Sequence, residues 1–232
     1  MKKQITVLSG AGISAESGIK TFRDAGGLWE GHDVMSVASP KGWKKDQELV
    51  LDFYNQRRKQ VQEVEPNAGH LALVELESKY DVQIITQNVD DLHERAGSSN
   101  IIHLHGELLK VRSIKYESLV YDWKKDLVTG DTCEKGHQLR PHIVWFGEMV
   151  PMLEKAAEIT TRSDIVIIVG TSMKVYPAAG LVGYAQRGIP IHYVDPNPSI
   201  NHELDRSANL KIISDKATTG LRDVVDELLK MA

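Results

Sequence analysis

The fold of this chain is decided by residues 10–29, which read GAGISAESGIKTFRDAGGLW. They follow an apolar run, residues 5–8, that predicts a β-strand. Gly10 and Gly12 stand where this strand is expected to end. Glycine allows a tight turn and lets a phosphate approach main-chain N–H groups, so the strand, the turn and the helix start predict a dinucleotide-phosphate cradle. On the two glycines alone, an ordinary strand-to-helix turn is an equally good interpretation.

Short runs rich in β-branched residues recur along the chain and predict strands that are buried on both faces of a parallel sheet. They cover residues 5–8, 82–86, 101–104, 165–169, 191–194 and 210–213. Helical patterns separate several of them, at residues 67–80, 151–161, 178–187 and 220–231. This alternation predicts an α/β fold with a doubly wound, Rossmann-like parallel sheet.

Two stretches depart from the alternation. Residues 30–66 are mainly polar and helical in pattern, and residues 108–137 are charged and irregular. We therefore expect one domain over residues 1–232, with a large Rossmann-like lobe of about 1–29, 67–107 and 138–232. The two insertions, 30–66 and 108–137, are expected to form a small helical and irregular lobe. A chain of 232 residues suits such an arrangement.

The composition excludes several classes of function. Acidic residues outnumber basic ones by 32 to 28, so the chain has no overall positive field for nucleic acid or an anionic membrane. No apolar run approaches the length of a membrane span, and the first residues do not resemble a signal peptide. Cys133 is the only cysteine and cannot form an internal disulfide. We therefore expect a cytoplasmic protein.

The second predicted strand ends in polar residues, Thr86-Gln87-Asn88-Val89-Asp90. Open α/β sheets bind ligands at the carboxyl ends of their strands. An amide and a carboxylate at such an end can pair with a carboxamide such as that of nicotinamide. Capping of the next helix is the more common role of Asn or Asp at this position, judged without further context.

Two histidines, His103 and His105, lie two residues apart in the third predicted strand and therefore point to the same face. A histidine at a strand end, facing a dinucleotide, is suited to act as a general base because its pKa lies near working pH. Metal binding is disfavoured because no third ligand is obvious nearby. A hydrogen-bonded strand histidine without a chemical role is equally consistent with the pattern.

Taken together, these strings resemble the sirtuin family in motif order and spacing over nearly the whole chain. The matching stretches are residues 10–29, 86–90, 104–106, 140–148 (RPHIVWFGE) and 170–172 (GTS). The resemblance implies an NAD-dependent protein-lysine deacylase that releases nicotinamide and O-acyl-ADP-ribose. Its partners would be acylated lysine side chains of proteins or peptides, with no nucleic acid and no membrane.

The resemblance also implies residue roles. His105, Asn88 and Asp90 would be catalytic, with His105 taking a proton from a ribose hydroxyl. The implied NAD-binding residues are Gly10, Ala11, Gly12, Ser14, Glu16, Phe22, Arg23, Trp29, Gln87, Asn88, Val89, Asp90, Gly170, Thr171, Ser172, Asp195 and Ala217. Asp195 stands where the family has an asparagine for the adenosine ribose, and a carboxylate can still accept from ribose hydroxyls. His103 has no role in the motif.

The sequence also bears on which acyl group is removed. Tyr54 and Arg57 are three residues apart in a helical pattern, so they share a face and could receive a carboxylate at two points. A solvated arginine beside a packed tyrosine is the commoner fate of such a pair. Sirtuins with this pair, and with alanine in the cofactor loop as at Ala25, prefer succinyl, malonyl and glutaryl lysine. The resemblance thus implies a desuccinylase and demalonylase with residual deacetylase activity. It also implies that Val144, Phe146 and Gly147 bind the substrate.

Most sirtuins hold a structural zinc ion with two pairs of cysteines. The corresponding positions here are Ser113, Tyr116, Cys133 and Gly136, of which one is a cysteine. Tetrahedral structural zinc needs four such ligands, so we predict that zinc is absent.

Two other functions remain open. The first is an NAD-dependent protein ADP-ribosyltransferase that uses the same cleavage of the cofactor. The second is a non-catalytic module that senses NAD or ADP-ribose, against which the presence of His105, Asn88 and Asp90 argues.

Overall fold

The computed structural model describes residues 2–20, 28–29 and 31–231, without the side chain of Leu28. The predictions for Phe22, Arg23 and Ala25 fall outside these residues. The strands are β1 (Gln4–Ser9), β2 (Leu28–Trp29), β3 (His32–Asp33), β4 (Asp81–Thr86), β5 (Ile101–His103), β6 (Gly106–Ser113), β7 (Val120–Asp122), β8 (Leu139–Ile143), β9 (Ile165–Val169), β10 (Ile191–Val194) and β11 (Leu210–Ile213).

The described residues also form α-helices. They are α1 (Val34–Val37), α2 (Pro40–Lys45), α3 (Gln47–Glu63), α4 (Ala68–Leu76), α5 (Leu92–Ala96), α6 (Leu153–Thr161), α7 (His202–Asp205) and α8 (Ala217–Met231). Within the described part of the chain, no helix is long and apolar enough to cross a membrane.

The six strands predicted from the sequence form one sheet in the order β11-β10-β9-β1-β4-β5. Every neighbouring pair is parallel. Counted in chain order, this is the strand order of the Rossmann fold, and the order reverses between β1 and β9. The predicted α/β fold is confirmed, and ligands of such sheets bind where the order reverses.

The inner strands of the sheet are buried on both faces because alternate residues enter different hydrophobic cores, whereas the edge strand β11 is partly exposed, unlike the prediction from its sequence. In β9, Ile167 belongs to the core beneath α4 and α8, whereas Ile168 belongs to the core beneath α6 and residues 178–182. The helix expected at residues 178–187 is a 3-10 helix, Ala178–Tyr184. Gly180 and Gly183 weaken an α-helix in this segment.

Helices α1 to α3 fill most of the first insertion, as its pattern predicted. The second insertion was expected to be irregular, but it contains most of β6 and all of β7. These strands form an antiparallel sheet with β8, which follows the insertion, in the order β7-β6-β8. The sequence of β6 does not alternate cleanly between apolar and polar residues. Its charged residues are held by ion pairs, since Lys110 pairs with Glu107 and Arg112 pairs with Glu148. Strand β6 crosses the expected lobe boundary at residues 107 and 108, and the division into two lobes stays a prediction.

Candidate active site

The glycine turn after β1 lies against the end of β9, where the strand order reverses. The Gly12 N–H donates to the Gly170 carbonyl at 2.8 Å, and the Gly10 N–H donates to the Val169 carbonyl at 3.0 Å. A Cβ on Gly12 would lie 2.6 Å from the Gly170 Cα, and one on Gly10 would lie 2.7 Å from the Thr171 Cβ. Glycine is required here because two backbones meet with no room for a side chain.

A cavity of about 510 Å³ opens at this point. Its lining includes His105, all five predicted substrate residues and every predicted NAD-binding residue that the structure describes except Ser14 and Ala217. Ser14 is fully buried beneath the cavity, and Ala217 is buried in the core beside Lys216, which does line it. The structure therefore brings the predicted site residues together around one continuous space.

One side of the cavity is closed by groups from the start and the end of the chain. The Thr218 hydroxyl donates to Glu16 at 2.7 Å, and the Lys216 ammonium lies 3.6 Å from the same carboxylate. Asp195, nearly fully buried, accepts a hydrogen bond from the Asn197 N–H at 2.8 Å. Asp195 thus holds its own loop as well as facing the cavity.

A buried polar network supports Asn88 and Asp90. The Asn88 amide donates to the Ser14 hydroxyl at 3.1 Å, and this hydroxyl donates to Asp90 at 3.1 Å. The Asn67 N–H donates to Nδ1 of His70, so the proton of this ring is on Nε2, 3.5 Å from the Ser14 oxygen. Sequence analysis missed His70, although its place three residues after Asn67, the N-cap of α4, is a capping-box spacing.

The same network controls the charge of Asp90. Burial raises the pKa of Asp90 to about 6, opposed by hydrogen bonds from the Leu92 N–H and from Ser14 and by the nearby charge of His103. Because both donors favour the carboxylate, Asp90 is ionised near neutral pH and available as an acceptor.

His105 is held by its backbone neighbour. Its Nδ1 lies 3.0 Å from the Gln87 carbonyl, which can only accept, so Nδ1 carries the proton of the neutral ring. The lone pair is therefore on Nε2, and the ring lines the cavity. Burial lowers the pKa of His105 despite this hydrogen bond, so the neutral, basic form persists to lower pH.

His103 makes the same kind of bond from the same strand end but differs at its other nitrogen. Its Nδ1 lies 3.0 Å from the Asn88 carbonyl, and its Nε2 lies 2.7 Å from Glu94 Oε1. Burial opposes the charged ring, but the hydrogen bond and charge of Glu94 together raise the pKa of His103. A carbonyl and a carboxylate both accept, so this geometry suits a His103 ring that donates at both nitrogens.

Part of the cavity wall is aromatic. The Trp145 indole N–H donates to the Tyr54 hydroxyl at 3.1 Å, and burial raises the pKa of the fully buried Tyr54. The Arg57 guanidinium lies 4.0 Å from the centre of the Phe53 ring and donates to the Phe53 carbonyl at 2.7 Å. Tyr54 and Arg57 thus face one cavity from one helix, as the sequence predicted, and Arg57 is half-buried.

The wall that carries Trp145 is braced by charged groups that sequence analysis did not assign. The Arg140 guanidinium lies 3.3 Å from the centre of the Trp145 ring and pairs with Glu148 at 2.6 Å. Glu148 also accepts from the Trp145 N–H at 2.8 Å and pairs with Arg112 at 3.3 Å. Arg140 and Glu148 belong to the same stretch as Trp145, residues 140–148, whereas Arg112 reaches Glu148 from β6.

The four positions that match the family's zinc ligands do converge. The Cys133 thiol donates to the Ser113 hydroxyl at 3.4 Å, and the Tyr116 ring packs on His137. One thiol, a hydroxyl and a phenol ring are not a structural zinc site. The absence of zinc stays a prediction.

Three groups near the cavity meet the geometry of a metal site, in contrast to the expectation that His103 has no further ligands nearby. They are Glu94, His103 and Glu107, and no other group of this kind is found among the described residues. Both carboxylates already have cationic partners, since Glu94 pairs with His103 and Glu107 pairs with Lys110. His105 is not part of this cluster.

The fold and the cavity are those of a Rossmann-like, dinucleotide-binding class of protein. A model of the Sir2 family matches residues 10–177. The chain belongs to the Sir2 family.

Relatives and solved structures agree with this membership. A Helicobacter pylori (strain J99) protein named NAD-dependent protein deacylase is 58% identical over 230 residues, which cover 99% of this chain and 97% of the relative. A Bacteroides thetaiotaomicron protein of the same name is 48% identical, with 98% of each chain covered. A Sir2 homologue solved as an ADP-ribose complex has a TM-score of 0.89 and 38% identity, over 99% of this chain and 93% of that structure.

Proposed function

We propose that this chain is an NAD-dependent protein-lysine deacylase that removes succinyl and malonyl groups in preference to acetyl groups. The coarser function, NAD-dependent protein deacylation, follows from the Sir2 family match and from relatives that bear this name. One observation carries the finer proposal. A single cavity is lined by His105 at the end of the central sheet and by Tyr54 and Arg57.

The chemistry of the site fits NAD. Glycine at positions 10 and 12 lets the turn after β1 pack against the end of β9, where the strand order reverses and such sheets bind a dinucleotide. Asn88 and Asp90 offer an amide and a carboxylate for the nicotinamide carboxamide. When bound, NAD supplies a ribose carbon whose bond to nicotinamide is broken.

His105 is the general base in this proposal. Its Nε2 carries the lone pair of the neutral ring and accepts a proton from a ribose hydroxyl. The Gln87 carbonyl fixes the tautomer and the direction of the ring. The lowered pKa keeps this nitrogen unprotonated at neutral pH.

Tyr54 and Arg57 select the acyl group. Because Trp145 donates to the Tyr54 oxygen, the Tyr54 proton is directed to another acceptor, and an acyl carboxylate suits it. Arg57 supplies the positive charge that such a carboxylate needs when it leaves water. An acetyl group has no charge to pair with either side chain. Val144, Phe146 and Gly147, which line the same cavity, would contact the lysine stem and the peptide.

The test is a panel of peptides that differ only in the acyl group on one lysine: acetyl, malonyl, succinyl and glutaryl. With NAD, we expect the highest kcat/KM for a peptide with an acidic acyl group and measurable turnover of the acetyl peptide. An acetyl peptide that outperforms all three acidic peptides would contradict the proposal. Labelled NAD separates the alternative activity, because label retained on protein instead of on a small acyl product would indicate an ADP-ribosyltransferase.

A further inference from the structure

We propose that His103 is a positioning residue for the deacylase reaction: it fixes the Asn88 carbonyl through Nδ1 while Glu94 fixes its Nε2. The inference rests on the proposed role of Asn88 at the nicotinamide end of NAD. It gives a function to a histidine that the family motif leaves unassigned.

The first step is the hydrogen bonding of residues 87–89. Strand pairing between β4 and β5 ends at Thr86 and His103, so the next carbonyls leave the sheet. Three consecutive carbonyls are nevertheless satisfied: Gln87 by His105 Nδ1, Asn88 by His103 Nδ1, and Val89 by the Leu108 N–H. Two imidazole rings therefore replace the missing strand, and a buried carbonyl without such a donor is costly.

The second step is the difference between the two rings. His105 keeps Nε2 for the cavity that it lines. His103 gives its Nε2 to Glu94 at 2.7 Å. A ring bonded at both ends cannot rotate without losing a hydrogen bond, so His103 holds the Asn88 backbone more firmly than His105 holds that of Gln87.

The third step is the charge around His103. Glu94 on α5 and Glu107 on β6 favour its imidazolium, whereas burial opposes it. The same charge lowers the pKa of Asp90 in the loop and that of His93 on α5. Loss of His103 should therefore both loosen Asn88 and make Asp90 easier to protonate.

The test compares two substitutions of His103. His103→Leu removes both hydrogen bonds, whereas His103→Asn keeps an N–H donor near the place of Nδ1 and loses only Glu94. We expect His103→Leu to raise the KM for NAD and the nicotinamide concentration for half-inhibition by about tenfold, with the KM for the acyl peptide nearly unchanged. His103→Asn should recover most of both values.

A matched control is His192, a buried histidine on β10 of the same sheet that does not line the cavity. His192→Leu and His192→Asn should leave both KM values unchanged, whatever they do to thermal stability. If His103→Leu lowers kcat only in proportion to the folded fraction, with unchanged KM values, His103 is merely structural and the proposal is wrong. Equal defects in His103→Leu and His103→Asn would also overturn it.

Glu94→Gln tests the account if His103→Leu does not fold, because Glu94 is exposed. It removes the charge that favours the imidazolium but keeps an acceptor at the ring. We expect the acidic limb of kcat/KM for NAD to move to higher pH, and an unchanged pH profile would contradict the proposal. The ratio of succinyl to acetyl turnover reports separately on Tyr54 and Arg57. The proposal for His103 and the proposal for the acyl preference can therefore fail independently.

Discussion

The cavity has two regions of different chemistry, which we call the sheet end and the aromatic end. At the sheet end, Asn88 donates to Ser14 and Ser14 donates to Asp90 in a buried network. At the aromatic end, Tyr54 and Arg57 lie among aromatic rings, and Arg57 stacks on Phe53. The first end is organised to hold and orient polar groups. The second offers one hydroxyl and one cation in an apolar setting, which is suited to selection between acyl groups.

This difference implies that substitutions at the two ends should fail in different ways. Loss of a group at the sheet end should slow every acyl substrate to the same extent. Loss of a group at the aromatic end should change the ratio between acidic and acetyl substrates.

The largest effect is expected for His105→Ala. General-base catalysis contributes about 10²- to 10⁴-fold, so kcat should fall by that factor for succinyl and acetyl peptides alike. Steady-state kinetics with both peptides measure it. His142→Ala, at a half-buried histidine on β8 that does not line the cavity, serves as the control. Turnover near that of the wild type in His105→Ala would remove the catalytic assignment.

The next effect is expected for Arg57→Ala. Removing one partner of a desolvated charge pair costs about 2–5 kcal/mol, so kcat/KM for the succinyl peptide should fall steeply while that for the acetyl peptide changes little. Gln60→Ala is the matched control, since Gln60 is one turn further along α3 and lines the same cavity. An equal loss for both peptides in Arg57→Ala would mean that Arg57 does not read the acyl charge.

A smaller effect is expected for Tyr54→Phe. A hydrogen bond to a charged group contributes about 1.5–3 kcal/mol, so the succinyl preference should weaken by roughly tenfold or more. The change also leaves the buried indole N–H of Trp145 without its acceptor, which costs about 1–3 kcal/mol of folding free energy. Peptide kinetics and thermal unfolding measure the two consequences. A wild-type acyl ratio would exclude the Tyr54 hydroxyl from acyl recognition.

The smallest effect at pH 8 is expected for Ser14→Ala. The Ser14 hydroxyl stabilises the Asp90 carboxylate, so its removal should raise the pKa of Asp90 above about 6, by roughly one unit. Asp90 acts in its carboxylate form. When the pH is lowered, the variant should therefore lose activity with both acyl substrates at a higher pH than the wild type does. The pH profile of kcat/KM for NAD measures the shift, and an unmoved acidic limb would contradict the network described above.

The central sheet could be predicted because most of its strands are runs rich in β-branched residues. The inner strands are buried on both faces, whereas β11 at the edge is partly exposed. Strand β6 could not be predicted in the same way. Its charged residues interrupt the pattern: Lys110 pairs with Glu107 in the same strand, and Arg112 pairs with Glu148, which only the folded chain brings near. Local composition therefore describes the sheet well and the second insertion poorly.

The residues of the site also differ in how far the local sequence predicts them. Gly10, Gly12 and the 86–90 string lie at strand ends and carry their meaning locally. His70 beneath Ser14, and the pairing of Arg112 with Glu148 behind Trp145, depend on contacts between distant segments. The resemblance to the family implied Tyr54 and Arg57 as the acyl-selecting pair, and helical spacing predicted that both share one face. Neither could predict the hydrogen bond from the Trp145 indole to the Tyr54 hydroxyl.

The most direct test is a crystal structure with a non-hydrolysable NAD analogue and a succinyl-lysine peptide bound together. The account predicts the nicotinamide carboxamide at Asn88 and Asp90, a ribose hydroxyl within hydrogen-bond distance of His105 Nε2, and the succinyl carboxylate on Tyr54 and Arg57. A succinyl carboxylate directed into solvent, with Arg57 engaged elsewhere, would contradict it.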